Sequence, residues 1–311
     1  MATPYAYIRG EIVPLAEAKI GVMTHAFNYG TAVFEGIRGN WNAEEGQLFL
    51  FRVAEHYQRL KDSCRILKIG LPQRVEELIE LTLDLAERCG FEQDVYIRPL
   101  AYKATEVLGV RLHDLDDDLI IFVAPFGNYL DVEQGARCMT SSWRRIDDTS
   151  IPARAKVTGL YVNSALAKTE AQENGFDEAI MLTQDGHVSE GSGENIFIVS
   201  RGRLVTPPVS DNILVGITRE TVMTLAKREL GVDVIERSVD RSELYIADEC
   251  FMTGTAAHVT PVVEVDRRPV GDGRVGALTA KLQRLYFDAA WGRLPSYRHW
   301  CTPAFRRVRA T

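Results

Sequence analysis

The sequence is short of several features that mark common protein classes. Its five cysteines, Cys64, Cys89, Cys138, Cys250 and Cys301, are odd in number, scattered and never in a CxxC pair. That spacing excludes a disulfide framework and a structural zinc site and fits a reducing cytosol. No apolar run approaches the ~20 residues needed to cross a bilayer. The opening MATPYAYIRGEIVP lacks the apolar centre of a secretory signal. A soluble, cytoplasmic protein with no membrane partner is expected. Clustered basic residues are missing as well: the net charge is -7 and the isoelectric point near 5.5, which argues against a nucleic-acid partner. Only residues 298–309 are locally basic, and they read as a solvated terminus or an oligomer contact. The string HDLDDD (113–118) has neither the glycine nor the final glutamate of a calcium loop. It reads as a solvated turn, and no metal is expected.

With 46% hydrophobic residues in 311, the chain can bury a substantial core as one large or two ordinary domains. Strand and helix signals are mixed, which gives an α+β class. The polar, glycine-punctuated stretch 126–136 has no periodicity and is expected to join a smaller N-terminal α/β domain (1–125) to a larger domain (137–311). In the first half a hairpin is expected over 5–14, then an aromatic and glycine-rich strand over 23–39 that passes close to a ligand or another backbone. Helices follow over 53–69 and 74–89, stopped by Gly70 with Pro72 and by Gly90. A strand over 94–101 is expected to end at Pro99, a loop covers 103–115, and LIIFVAP (119–125) reads as a fully buried strand. In the second half a strand (138–145) precedes a helix (160–175) with Leu166 and Ala167 facing inward. Two hairpins turn at Asp185-Gly186, both residues at positive φ, and at Arg201-Gly202. A helix begins near Gly216, and a strand (232–239), a short helix (242–249), a strand (249–257) and an amphipathic helix (275–291) complete the chain.

Lysine is scarce, with only eight in the chain. One of them, Lys156, lies in a loop of small residues. Tyr161 follows five positions later, and Glu190 heads the string EGSGEN. An amine, a phenol and a carboxylate are what pyridoxal phosphate chemistry requires: a Schiff base, a partner for the ring hydroxyl and an acceptor that keeps the ring nitrogen protonated. Arg59 on the first helix reads either as a surface ion pair or as a phosphate ligand able to engage two oxygens. Tyr96 and Arg98, two apart on a strand, share a face that suits a substrate carboxylate; the alternative is a structural ion pair for Arg98. Thr218 at a helix start reads as an N-cap and, with the first amides, as an anion site. Phe27 and Phe34 read equally as core or as pocket wall.

The strings NYGTAVFEGIR (28–38), EHYQRL (55–60), YIRP (96–99), EGSGEN (190–195), VGITRE (215–220) and MTGTAA (252–257) occur in the order and spacing of fold-type IV pyridoxal phosphate enzymes. The chain resembles the branched-chain amino acid aminotransferases from about residue 7 to about 287. The resemblance implies a two-domain fold whose larger domain has a β-barrel-like core with flanking helices. It implies pyridoxal 5'-phosphate as cofactor and transamination of leucine, isoleucine and valine against 2-oxoglutarate. It implies Lys156 as the catalytic residue and a cofactor site of Arg59, Lys156, Tyr161, Glu190, Ile217, Thr218 and Thr255. The substrate side would comprise Tyr29, Phe34, Tyr96, Arg98, Thr255, Ala256 and Ala257, with Arg98 meeting the side chain of glutamate. Amino acids and 2-oxo acids are the implied partners, and a homodimer is the smallest implied assembly, with hexamers in the family. Arg111, His113 and the position of His258, where an acidic residue is expected, depart from the pattern. They keep open a D-amino acid or (R)-amine transaminase of the same fold, whereas YIRP together with GTAA argues against an aminodeoxychorismate lyase, and Lys156, Tyr161 and Glu190 together weigh against a binding protein that has lost catalysis.

Overall fold

The computed structural model describes residues 4–127 and 133–306, so part of the expected 126–136 connection lies outside the described residues. The chain forms two compact units of nearly equal length. The first takes the residues up to Gly127, the segment Ala155–Gly159 and the end of the chain from Asp288; the second takes the remainder. The division therefore differs from a single cut near residue 130. Segment 155–159 belongs to the first unit because Val157 bridges Val33, the Phe34 N–H donates to the Lys156 carbonyl (3.0 Å) and Thr158 Oγ1 donates to the Gly30 carbonyl (2.9 Å). The chain end belongs there because its strand Cys301–Pro303 pairs with Phe49 to Phe51.

In chain order the first unit holds β1 (Tyr5–Ile8), β2 (Glu11–Pro14), α1 (His25–Tyr29), β3 (Ala32–Phe34), β4 (Ile37–Asn42), β5 (Gln47–Phe51), α2 (Val53–Ile66), α3 (Val75–Cys89), β6 (Val95–Lys103) and β7 (Asp117–Pro125). These strands and Cys301–Pro303 make one antiparallel sheet in which β6 is paired with β7 on one side and with β4 and then β3 on the other. Tyr57, Leu60 and Cys64 of α2 recur at helical spacing and are buried, as are Leu78, Leu85 and Ala86 of α3. Each leucine so buried contributes about 2 kcal/mol.

Several expectations are corrected here. Residues 25–29 form one helical turn, ended by Gly30 at φ +67°, because the His25 N–H is taken by the Thr105 carbonyl and Asn28 Nδ2 donates to the Val22 and Thr24 carbonyls. α2 stops at Ile66, since Lys68 takes φ +52° and the Ile69 N–H closes on the Cys64 carbonyl (2.8 Å). Pro99 does not end β6. Its carbonyl accepts the Glu35 N–H (2.9 Å), so its nitrogen faces the break between β3 and β4, where no ladder donor is needed. β7 alternates, with Leu119, Ile121 and Val123 buried and the residues between half-buried. Asp117 and Asp118 are part of it, paired with Lys103 (2.9 Å) and with the Tyr102 hydroxyl (3.0 Å), so HDLDDD is only partly a solvated turn. The basic end is docked as far as it is described: Arg298 pairs with Glu45, and Arg306 with Glu80 and Asp84.

The second unit comprises β8 (Ala136–Arg144), α4 (Tyr161–Glu173), β9 (Glu178–Leu182), β10 (Val188–Gly191), β11 (Asn195–Ser200), β12 (Arg203–Thr206), α5 (Ile217–Leu230), β13 (Val234–Glu236), β14 (Glu249–Gly254), β15 (His258–Val265), β16 (Arg268–Pro269) and most of α6 (Ala277–Ala290). The sheet runs β10-β9-β8-β15-β14-β11-β12-β13 with β16 on β15. It is mixed, with parallel pairs at β8/β9, β8/β15 and β12/β13. On α4 the inward positions are Ser164, Ala167 and Ala171, and Leu166 is 40% exposed, which corrects its expected inward face. At the Asp185-Gly186 turn only Gly186 has positive φ (+96°); at the next hairpin both Arg201 (+52°) and Gly202 (+72°) do. Among the described residues no helix is long and apolar enough to cross a membrane, and no cluster of His, Cys, Asp or Glu is arranged to hold a metal ion.

Candidate active site

In the first unit two of the candidate residues, Lys156 and Arg98, lie against the ring of a third, Phe34, and a fourth, Tyr96, is joined to Arg98. β3 carries Phe34 beside the lysine segment, and Lys156 is held at both ends of its peptide: its N–H donates to Ser63 Oγ (3.2 Å) and its carbonyl accepts from Phe34. Lys156 Nζ lies 5.0 Å from the centre of the Phe34 ring, and Arg98 Cζ lies 4.4 Å from the same ring. Arg98 Nη2 donates to the Tyr96 hydroxyl (3.3 Å), so the two do share a face of β6. Gly36 makes room for that phenol: a Cβ there would fall 1.7 Å from Tyr96 Oη. The alternative pairing of Arg98 with a nearby acid is not among the ion pairs of the described residues.

Arg59 is not a surface residue. Its side chain is 14% exposed and grips the fully buried Glu35 with two hydrogen bonds, Nε to Oε1 at 2.7 Å and Nη2 to Oε2 at 2.8 Å. His56 Nδ1 adds a third contact to Glu35 Oε2 (2.7 Å). Burial alone would raise the Glu35 carboxyl, but the Arg59 charge and the hydrogen bonds of Arg59 and His56 outweigh it and hold the group well below the usual carboxylate range. Burial pushes the His56 imidazole down, against the opposing pull of Glu35. His56, Arg59 and Ser63 therefore form one face of α2, at helical spacing, that touches both Glu35 and the lysine segment. Tyr29 is tied instead to Gly109: its hydroxyl accepts the Gly109 N–H (3.0 Å), while His25 Nε2 meets the Gly109 carbonyl (2.8 Å). Arg111 and His113, farther along the same loop, are exposed.

In the second unit Glu190, next to last in β10, is buried. Arg145 Nη2 pairs with its Oε1 (2.6 Å), and Oε2 accepts from Asn195 Nδ2 (3.0 Å) and the Leu214 N–H (3.1 Å). Three donors on one carboxylate favour its charged form. The start of α5 is capped by Gly216, which has no side chain to satisfy first-turn amides; Ile217 and Thr218 are buried in that turn. Thr218 is thus a first-turn residue and not the N-cap. Tyr161 opens α4 and is half-buried. After β14 the turn at Thr255, Ala256 and Ala257 leads into His258, at φ +57°, whose ring packs 5.2 Å from Phe287 and 5.8 Å from Tyr286. Thr253 Oγ1, buried beside this turn, has no hydrogen-bond partner among the described residues.

Sequence reasoning passed over Glu35, His56, Ser63, Arg145 and Glu194. Glu35 directly follows Phe34 and His56 lies three positions before Arg59, but partners that serve another side chain leave no periodic signal. Glu194, in EGSGEN, is also buried. Desolvation, reinforced by the Glu178 charge, pushes its carboxyl up to about 8.

Lys156 and the buried Arg59 of the first unit, and in the second unit the buried Glu190 with its three donors and the Thr253 hydroxyl, are each of a donor type that pyridoxal 5'-phosphate chemistry uses. The comparisons agree. A family profile described as amino-transferase class IV matches residues 32–265. The chain is 52% identical over 301 residues to a probable branched-chain-amino-acid aminotransferase of Aquifex aeolicus (strain VF5), covering 97% of each. It is 42% identical over 300 residues to the branched-chain-amino-acid aminotransferase of Escherichia coli (strain K12), covering 95% of this chain and 96% of that one. Among solved structures it is similar to the branched-chain aminotransferase of Thermoproteus uzoniensis with norvaline, with a TM-score of 0.93, 43% identity and coverage of 97% and 100%. It is also similar to the PLP-form enzyme of Thermobaculum terrenum, with a TM-score of 0.92, 38% identity and coverage of 98% and 100%. The chain belongs to the class IV aminotransferases and, within them, to the branched-chain amino acid aminotransferases.

Proposed function

We propose that this protein transfers the amino group between branched-chain L-amino acids and 2-oxoglutarate with pyridoxal 5'-phosphate as cofactor. When bound, the cofactor supplies an electron sink for the charge left on the substrate Cα. Lys156 Nζ would take the proton from the substrate Cα as general base and then, as general acid, deliver it to the cofactor-side carbon across the shared nitrogen. Glu190, kept charged by Arg145, Asn195 and the Leu214 amide, holds a proton at the ring nitrogen, and Tyr161 meets the ring hydroxyl. Arg59, Ile217, Thr218 and Thr255 bind the phosphate. Tyr96 with the turn at Thr255, Ala256 and Ala257 holds the substrate α-carboxylate, and Tyr29 and Phe34 wall the side-chain pocket.

The observation that carries this reading is the stacking of Arg98 on Phe34 beside Lys156. One wall then presents an apolar ring and a guanidinium together. Leucine meets the ring, and the side-chain carboxylate of glutamate meets the cation, which is how one site serves both donors. The protein acts in the cytoplasm as a homo-oligomer of at least two chains. The test is to mix the pyridoxal form in turn with L-leucine, L-isoleucine, L-glutamate, D-alanine and (R)-1-phenylethylamine and follow the absorbance of the bound cofactor. Rapid change with the three L-amino acids supports the proposal. Change mainly with D-alanine or the (R)-amine moves the chain to the rival substrate class.

A further inference from the structure

We infer that Glu35 is a positioning residue: it sets the orientation in which Arg59 meets the cofactor phosphate and so fixes the phosphate anchor relative to Lys156. The inference rests on the phosphate role given to Arg59 above.

Glu35 is completely buried, and both of its oxygens are committed to the Arg59 fork. Two parallel N–H···O bonds fix the plane of a guanidinium as well as its position, which one bond would not do. The carboxylate is itself held. Its backbone N–H donates to the Pro99 carbonyl (2.9 Å), and His56 contacts Oε2. An ionised carboxylate only accepts, so Nδ1 of His56 is the protonated nitrogen and donates.

The neighbouring residue, Phe34, holds the other anchor. Its N–H donates to the Lys156 carbonyl and its ring lies under Nζ. Adjacent residues thus grip the amine and the phosphate ligand, and α2 ties the same two points together through Arg59 and Ser63. The cofactor has a rigid ring between its aldehyde and its phosphate arm, so a site that binds both ends needs this spacing set in advance.

A buried acid behind the phosphate ligand also cancels part of its charge. The arrangement therefore gains orientation at the expense of raw attraction for an anion, which distinguishes a positioning role from a simple cationic patch.

The experiment titrates the cofactor-free protein with pyridoxal 5'-phosphate and with pyridoxal, which lacks the phosphate. Glu35→Gln is expected to raise the Kd for the phosphorylated ligand about 10–100-fold, as loss of an outer-sphere partner does elsewhere, with the Kd for pyridoxal changed less than about 2-fold. The 31P resonance of the bound phosphate should shift in the same variant. Equal weakening of both ligands, or unchanged affinity for the phosphorylated one, overturns the inference.

Glu35→Gln leaves a buried cation without its counter-ion and can fail to fold. The double variant Glu35→Gln/Arg59→Gln removes both charges and is compared with Arg59→Gln. Because Glu35 acts through Arg59, the second substitution should not change the ratio of the two Kd values further; an added loss of about 5-fold or more overturns the inference. If Arg59→Gln itself leaves the ratio unchanged, the phosphate role of Arg59 fails, and this inference fails with it. If only the Glu35 variants miss their expected result, the role of Arg59 stands.

Discussion

The side chains proposed for chemistry are held by neighbours that do no chemistry themselves. Arg145 and Glu190 are 6% and 5% exposed, and removing one member of such a pair strands a buried charge. Arg145→Met should cost about 3–5 kcal/mol, read from the denaturant midpoint. Lys156→Ala should lower turnover by at least about 10²–10⁴-fold, the share that positioned proton transfer supplies, with folding unchanged by circular dichroism. Turnover near that of the unaltered enzyme would remove Lys156 from its assigned role. At this scale the sequence singles out Lys156 because a lysine in a loop of small residues is unusual in both chemistry and place. It is a poor guide to Arg59, whose helix alone reads as a surface, because Glu35 lies 24 residues away.

At the scale of elements, the helices of the first unit are legible because periodicity and stop signals agree: α3 ends at Gly90 with φ +63°. The stretch around Gly30 is harder to read, because its conformation is set by contacts with remote segments. Gly30 has φ +67°, and a Cβ there would lie 2.9 Å from the Gly159 Cα, in the segment that carries Lys156. Gly30→Ala should therefore lose at least about 1–2 kcal/mol from backbone strain alone and move the lysine segment. Lower thermal stability together with weaker cofactor binding checks it; a loss of stability with binding intact would show that the segment does not follow Gly30. Gly36→Ala acts elsewhere, by displacing the Tyr96 phenol, and should raise KM for L-leucine with little change in the Kd of the cofactor. Pro99 shows the limit of local rules. A proline in a strand is a stop signal until the partner strand is seen to break opposite it.

For the whole molecule, Glu194 links stability to pH. Its carboxyl is raised in the folded state from 4.5 to about 8 by burial and the Glu178 charge. The folded chain thus holds a proton that the unfolded chain has already released across that window. The stabilisation is complete below about pH 4.5 and is lost as pH rises through about 8. Glu194→Gln should flatten this decline, seen as unfolding midpoints that fall less between pH 5 and pH 8, both inside the stated window. A decline of the same slope in the variant would assign it to other groups.

The sequence by itself determined the class of fold and the cofactor, since both rest on strings of residues in a fixed order and on side-chain chemistry that the residue type carries with it. Only the tertiary structure decided that the lysine segment and the end of the chain belong to the first unit, that Leu166 faces outward, and that Arg59 and Glu190 are held by Glu35 and Arg145. Those outcomes depend on pairing between segments tens to hundreds of residues apart. Backbone hydrogen bonds and buried ion pairs of that kind are fixed by which groups are left to satisfy one another once the sheets have formed.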